Sequence, residues 1–174
     1  MIAGSRRGAR LVAPRGKSVR PTSDRVREAL FSILGPLDGV NVLDLFAGSG
    51  ALAIEALSRG AFSATLVDSS AAAIAAIRRN LGSLDLDADV RRARALDFLE
   101  RARAARAQYD LVFLDPPYRH ASALGGRLST ALGPVLAPDS RVIAESDRRA
   151  PLELVLPLLD ERRYGDTLIR IHGP

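Results

Sequence analysis

Between Val40 and Glu145, short apolar runs alternate with helix-patterned segments, and this alternation restricts the fold more than any other feature of the chain. Val40–Phe46 reads as a buried strand, followed by a glycine-containing turn and a helix near Gly50–Ser58. Ala64–Asp68 reads as a second strand and Ala71–Leu81 as a second helix. Val90 centres a weaker third strand ahead of a helix over Leu96–Ala107. The strongly apolar Tyr109–Leu114 follows, then a turn at Asp115–Tyr118, a helix near Ser122–Leu132 and a strand at Arg141–Glu145. Strands and helices that alternate in this way build βαβ units around a parallel sheet covered on both faces, a doubly wound α/β domain. Such sheets bind ligands at the carboxyl ends of their strands, near the point where strand order reverses.

The flanks read differently. Residues 2–13 alternate loosely around Gly4 and Gly8, the pattern of a small hairpin-like arm, and a link from Pro14 to Pro21 follows. Thr22, Ser23 and Asp24 are N-cap residue types. After them Val26, Ala29, Leu30, Ile33 and Leu34 form the stripe of an amphipathic helix, with Arg25, Arg27 and Glu28 expected on its opposite face. The segment from Leu152 to Ile171 is expected to hold a short helix and two final strands.

The length of 174 residues suits one compact domain. The longest apolar candidate for a membrane span, Ala71–Ile77, is far shorter than the roughly 20 residues a span needs. No hydrophobic secretory core follows the basic N-terminus, so a cytoplasmic protein is expected. The absence of cysteine excludes disulfides, thiolate metal sites, iron–sulfur clusters and cysteine nucleophiles. Residues 1–31 carry eight basic side chains against two acidic ones, in a chain of net charge +5, so the rest of the chain is close to neutral. A basic arm on a neutral body suits a polyanionic partner. A solvated surface in which arginine almost wholly replaces lysine is an equally good account of the composition alone.

The segment Asp44 to Ala53 leaves the first strand and enters a helix. Gly48 and Gly50 allow a tight turn and close backbone approach to a ligand, and the helix start offers unpaired amides. Asp68 lies at the spacing of a carboxylate that accepts from ribose hydroxyls. Gly48, Gly50 and Ala53 also meet the loose dinucleotide fingerprint, which leaves a nicotinamide cofactor open. Asp44 tilts the choice: a carboxylate at this position suits the cationic aminoacyl end of S-adenosylmethionine and sits badly beside a pyrophosphate.

Asp115-Pro116-Pro117-Tyr118 follows the apolar strand and is the sharpest motif in the chain. Two prolines hold the backbone extended and remove two donors, which leaves the Asp115 carboxylate and the Pro116 carbonyl as acceptors. Two acceptors on a rigid loop can take both hydrogens of an amino group and aim its lone pair at a methyl donor. Tyr118 adds a ring on which an unstacked base can lie. Alone, the tetrapeptide is as consistent with a proline turn that ends a strand. Its place in the same sheet as the Asp44/Gly48/Gly50 loop favours methyl transfer.

Asp44–Gly50 together with Asp115–Tyr118 resembles the class I methyltransferases of exocyclic amines. The run Arg20–Phe31, with Ile2–Leu11 ahead of it, narrows the resemblance to the RsmD family, which methylates N2 of one guanine in small-subunit (16S) ribosomal RNA. The resemblance covers nearly the whole chain. It implies a mostly parallel seven-stranded Rossmann-like sheet, with residues 1–21 as a basic hairpin arm and residues 22–174 as the methyltransferase domain. Catalysis would fall to Asp115, Pro116, Pro117 and Tyr118. S-adenosylmethionine would be held by Asp44, Phe46, Ala47, Gly48, Gly50 and Asp68. Where relatives carry Asp or Asn to read the adenine, this chain has Arg94, with Asp97 three residues on, so backbone near Ala95 is the candidate reader. Substrate contacts are expected from Arg6, Arg7, Arg10, Arg20, Pro21 and Thr22, with the four arginines on phosphates. Family members prefer assembled or partly assembled small subunits to bare RNA. A monomer without metal or membrane attachment is expected.

The tetrapeptide also suits adenine-N6 or cytosine-N4 methylation, and a non-catalytic RNA-binding assembly factor is the alternative from another class. His120 near the catalytic loop, His172 near the C-terminus and the Arg101, Arg103, Arg106 helix face read as solvated or structural residues. Glu145 either borders the substrate cleft or forms a salt bridge.

Overall fold

The computed structural model describes residues 1–14, 24–116 and 121–174. Its elements follow in order: α1 (Asp24–Leu34), β1 (Asn41–Leu45), α2 (Ala51–Ser58), β2 (Ser63–Asp68), α3 (Ala71–Leu84), β3 (Asp89–Arg92), α4 (Ala95–Ala104), β4 (Tyr109–Leu114), α5 (Ala121–Leu132), β5 (Leu136–Asp147), β6 (Leu158–Tyr164) and β7 (Thr167–His172). The seven strands form one sheet in the order β3-β2-β1-β4-β5-β7-β6. β1 to β5 run parallel, whereas β7 pairs antiparallel with both β5 and β6. Strand order reverses between β1 and β4, which makes their carboxyl ends the expected ligand cleft.

Alternation along the strands sends successive side chains to opposite faces and builds two cores. On one face Val42, Leu66, Phe113 and Ile143 pack with Leu30 and Phe31 of α1, Ile54 of α2 and Ile77 of α3. On the other, Leu43, Leu45, Val112 and Leu114 pack with Leu99 of α4 and with Leu128 and Leu132 of α5. The Phe31 and Phe113 rings lie 5.9 Å apart at their centroids and seat α1 on the sheet. The doubly wound seven-stranded architecture is therefore as expected.

Four local expectations are corrected. Residues 2–13 form no hairpin: they hold a short 3-10 turn, Gly4–Arg6, and no strand. The Arg7, Gly8 and Ala9 amides close turns within the arm, and four others go to side chains of the body instead of to a ladder. Ile2 and Ala3 donate to Glu55, Arg6 to the Ser58 hydroxyl and Val12 to Asn80. Arg27 is buried, not on the exposed face of α1, its guanidinium reaching the Asp24 carboxylate at 2.8 Å. Arginine can bury its stem along apolar surface in this way, and it is Ile33 that faces outward. No helix forms after Leu152. Pro151 and Pro157 bracket an irregular stretch whose Val155 amide donates to Ser129 of α5 at 2.8 Å. β5 begins at Leu136, well before Arg141, because its first residue pairs with Tyr109 across a register shift. The division at 21/22 falls on residues outside the described ones.

Candidate active site

After β1 the chain turns through Phe46 (φ 68°), Gly48 (φ 57°) and Gly50 (φ 78°) into α2. The Phe46 conformation carries steric strain, the kind that persists where the surroundings over-determine it, often at functional sites. Gly50 has no room for a side chain: a Cβ there would lie 2.8 Å from Leu66 and 3.2 Å from Ile54. The loop is pinned by three amides. Ala47 donates to the Val67 carbonyl at 3.0 Å, Gly48 to Asp68 Oδ2 at 3.0 Å and Gly50 to the Ala47 carbonyl at 2.7 Å. Asp68 Oδ1 also accepts from Ser70 at 2.8 Å, so this one carboxylate ties together the loops after β1 and β2. Each of its oxygens keeps a second lone pair for another donor.

Asp44, one residue before the end of β1, is 3% exposed and points to the face covered by α1 and α2. Its Oδ2 accepts from the Ala53 amide at 3.3 Å and so satisfies a donor in the first turn of α2. Burial pushes its pKa up to about 7; the Ala53 amide opposes the shift and the Asp68 charge adds to it. Near neutral pH this group stands close to its midpoint.

Across the reversal point, Asp44 is level with Phe113, and Leu114 is level with Ala144. One step further along, Asp115 leaves β4 beside Glu145, which is 5% exposed in β5. Strand alternation turns Asp44, Asp115 and Glu145 to the same face. Burial raises the Asp115 pKa well above the usual carboxylate range, and the neighbouring charges of Glu145 and then Asp44 raise it further. Pro116 is buried, while Pro117, Tyr118 and His120 lie outside the described residues. Acids thus stand at the ends of four adjacent strands: Asp68 (β2), Asp44 (β1), Asp115 (β4) and Glu145 (β5).

At the third strand end, the Ala93 amide donates to the Asp68 carbonyl at 3.1 Å, which holds the β3–α4 turn against β2. Ala95 is the first residue of α4, so its backbone belongs to a helix start at the same end of the sheet; Arg94 and Asp97 are not among the buried residues. In the arm, Arg7 and Arg10 are exposed. Arg6 is engaged instead. Its Nε donates to the Leu84 carbonyl at 2.5 Å and its Nη2 to that of Asp85 at 3.4 Å, covering carbonyls at the end of α3. Arg20, Pro21 and Thr22 lie outside the described residues. His172 is buried in β7, its Nδ1 3.1 Å from the Leu156 carbonyl, a structural position.

Sequence reasoning left Glu145 undecided between two roles and missed Glu55, Ser58 and Asn80 as anchors of the arm. The available signal was a carboxylate inside the apolar helix ALAIEALS, a place where Glu needs partners.

The family described as Conserved hypothetical protein 95 matches residues 1–173. Ribosomal RNA small subunit methyltransferase D of Haemophilus influenzae is 33% identical over 180 residues, covering 99% of this chain and 92% of that one. The Escherichia coli (strain K12) protein of the same name is 42% identical over 121 residues, 68% of this chain and 60% of that one. The solved structure of a hypothetical protein of Thermus thermophilus, TTHA0928, superposes with a TM-score of 0.86 at 31% identity, over 99% of this chain and 97% of that one. With the family match running over residues 1–173 and a full-length relative of that activity, this chain belongs to the RsmD family of ribosomal RNA methyltransferases.

Proposed function

We propose that the chain transfers the methyl group of S-adenosylmethionine to the exocyclic N2 of one guanine in small-subunit (16S) ribosomal RNA. The observation that carries this reading is the meeting of Asp115-Pro116 and the Asp44–Gly50 loop across the β1/β4 reversal point. The donor set fits the cofactor: a cleft of four acids and glycine-loop amides favours a ligand with cationic groups and disfavours a pyrophosphate. Asp44 and the Gly48–Gly50 backbone would hold the methionine end, with Phe46 and Ala47 completing the loop. Asp68 would take the ribose and the Ala95 backbone the adenine. The cofactor supplies an activated methyl group on a sulfonium.

The chain's own residues do the rest. The Asp115 carboxylate and the Pro116 carbonyl accept the two amine hydrogens and turn the nitrogen lone pair toward the donor. Pro117 keeps these acceptors rigid, and Tyr118 stacks the base. As the nitrogen gains positive charge, Asp115 stabilises it from a position already set, which is where most of the rate enhancement would arise. The raised pKa of Asp115 suits it to take the proton the methylated amine sheds and to pass it to solvent. Arg7 and Arg10 would meet phosphates of an assembled or partly assembled subunit, with Arg20, Pro21 and Thr22 at the substrate pocket. The test is Asp115→Ala. Methyl transfer into small subunits should fall by about 10²–10³-fold, the scale of losing one preorganised polar contact, with cofactor affinity and fold retained. Transfer at more than a tenth of the wild-type rate would overturn the assignment.

A further inference from the structure

Asn80 sits mid-helix in α3, 1% exposed, and its side-chain amide serves two segments distant in sequence. Its Oδ1 accepts from the Val12 amide at 2.8 Å. Its Nδ2 donates to the Val12 carbonyl at 3.0 Å and to the Ser49 carbonyl at 2.9 Å. Ser49 is the residue between Gly48 and Gly50. The peptide that joins Ser49 to Gly50 is therefore held at both ends, its carbonyl by Asn80 and its N–H by the Ala47 carbonyl. A side-chain amide can accept from one amide and donate to two carbonyls at once; a carboxylate cannot.

We propose that Asn80 is a positioning residue that sets the cofactor loop through Ser49 and locks it to the basic arm through Val12. This deepens the proposed function and rests on the cofactor reading of that loop. Glycine lets the loop adopt its turn but equally lets it adopt others, so a buried partner has to select one orientation of the peptide. Because the same side chain holds the arm that carries Arg7 and Arg10, ordering either segment favours the other. Occupation of the cofactor loop and engagement of RNA by the arm are then energetically coupled, and the coupling is reciprocal.

The experiment measures the affinity of S-adenosylhomocysteine for wild-type protein, Asn80→Asp, Asn80→Ala and the control Ser58→Ala, with thermal unfolding of each. Ser58 also anchors the arm, its hydroxyl accepting from the Arg6 amide and donating to the Ala3 carbonyl at 2.9 Å each, but it does not touch the loop. Asn80→Asp turns a carboxylate oxygen toward two carbonyls and should weaken binding about tenfold or more, as expected for losing two buried hydrogen bonds. Asn80→Ala, which loses these two bonds and the one accepted from the Val12 amide without adding charge, should weaken it in the same direction. Ser58→Ala loosens the arm at Ala3 and Arg6 and leaves the Val12–Asn80 bonds in place, so it should lower stability while leaving affinity within about twofold. A second measurement needs no variant: in the wild-type protein, S-adenosylhomocysteine should slow hydrogen exchange at the Val12 amide several-fold. Equal affinity in Asn80→Asp and wild type, or Val12 exchange indifferent to ligand, would overturn the role of Asn80 alone. Failure of the wild-type protein to bind S-adenosylhomocysteine at all would remove the cofactor reading, and this inference with it.

Discussion

The two ends of the parallel strands treat polar residues in opposite ways. At the amino ends Asn41 donates to Asp110 from its amide at 2.8 Å and from its side chain at 3.1 Å, and the Ser63 hydroxyl donates to Asn41 Oδ1 at 2.8 Å. Donors there meet acceptors, and the network joins β1, β2 and β4. At the carboxyl ends Asp44 and Glu145 are buried and their charges act on Asp115 between them, and burial with neighbouring carboxylates pushes Asp44 and Asp115 toward neutrality. A chain selected only for stability has little reason to gather carboxylates this way, because each is desolvated and repelled by the next. The amino end holds the sheet together, and the gathering of carboxylates at the other end is what the proposed site for a cationic ligand and an amine rests on.

The sharpest way to break this contrast is Asp44→Asn, which keeps the shape and removes the charge. Affinity for S-adenosylmethionine should fall about tenfold or more, as for loss of a partly buried charge pair. The pH dependence follows from the sign of the shift. The folded-state pKa of about 7 lies above the ordinary 3.8, so the folded protein holds this proton more tightly than the unfolded chain does. The group's contribution to stability is present below the ordinary value and is lost as pH rises toward about 7. Wild-type cofactor affinity should rise across the same interval as the carboxylate ionises. In Asp44→Asn both dependences should flatten. A variant whose affinity still climbed with pH as in the wild type would assign that climb to another group.

Asp110→Ala tests the other end of the strands. Loss of the acceptor for two Asn41 donors should cost about 1–3 kcal/mol of stability, read by denaturant unfolding, with the rate of methyl transfer unchanged. A large kinetic effect would mean that the two ends are not separable. The smallest effects are expected in the arm. Arg7→Ala and Arg10→Ala should each weaken subunit binding a few-fold and reduce the salt dependence by about one counterion. Arg6→Ala should act mainly on stability, since its guanidinium is already committed to α3.

The sheet was legible because its signals are local. β4 runs from Tyr109 to Leu114 as the apolar run indicated, and the glycine turn at Gly48 and Gly50 followed from residue type. The positions that defeated sequence reasoning depend on partners far along the chain. The arm looked like a hairpin because its alternation is local, but its amides are claimed by Glu55, Ser58 and Asn80, which lie at sequence separations of 53, 52 and 68 from the donors they hold. Arg27 was expected in solvent, since nothing in its neighbours announces that its stem lies against the core. At the site, the residue types of Asp44, Asp68 and Asp115 were readable. The placement of Glu145 beside Asp115 required the register of β5 against β4.

The most direct test of the central claim, that the acidic strand ends form one methyl-transfer site, offers radiolabelled S-adenosylmethionine with three acceptors. These are unmodified small ribosomal subunits, naked ribosomal RNA and duplex DNA, with labelled nucleosides identified by mass. Label recovered as N2-methylguanosine, mainly from subunits, is the predicted result. Methylated adenine or cytosine would contradict the substrate, and no transfer to any acceptor by protein that still binds the cofactor would contradict the site itself.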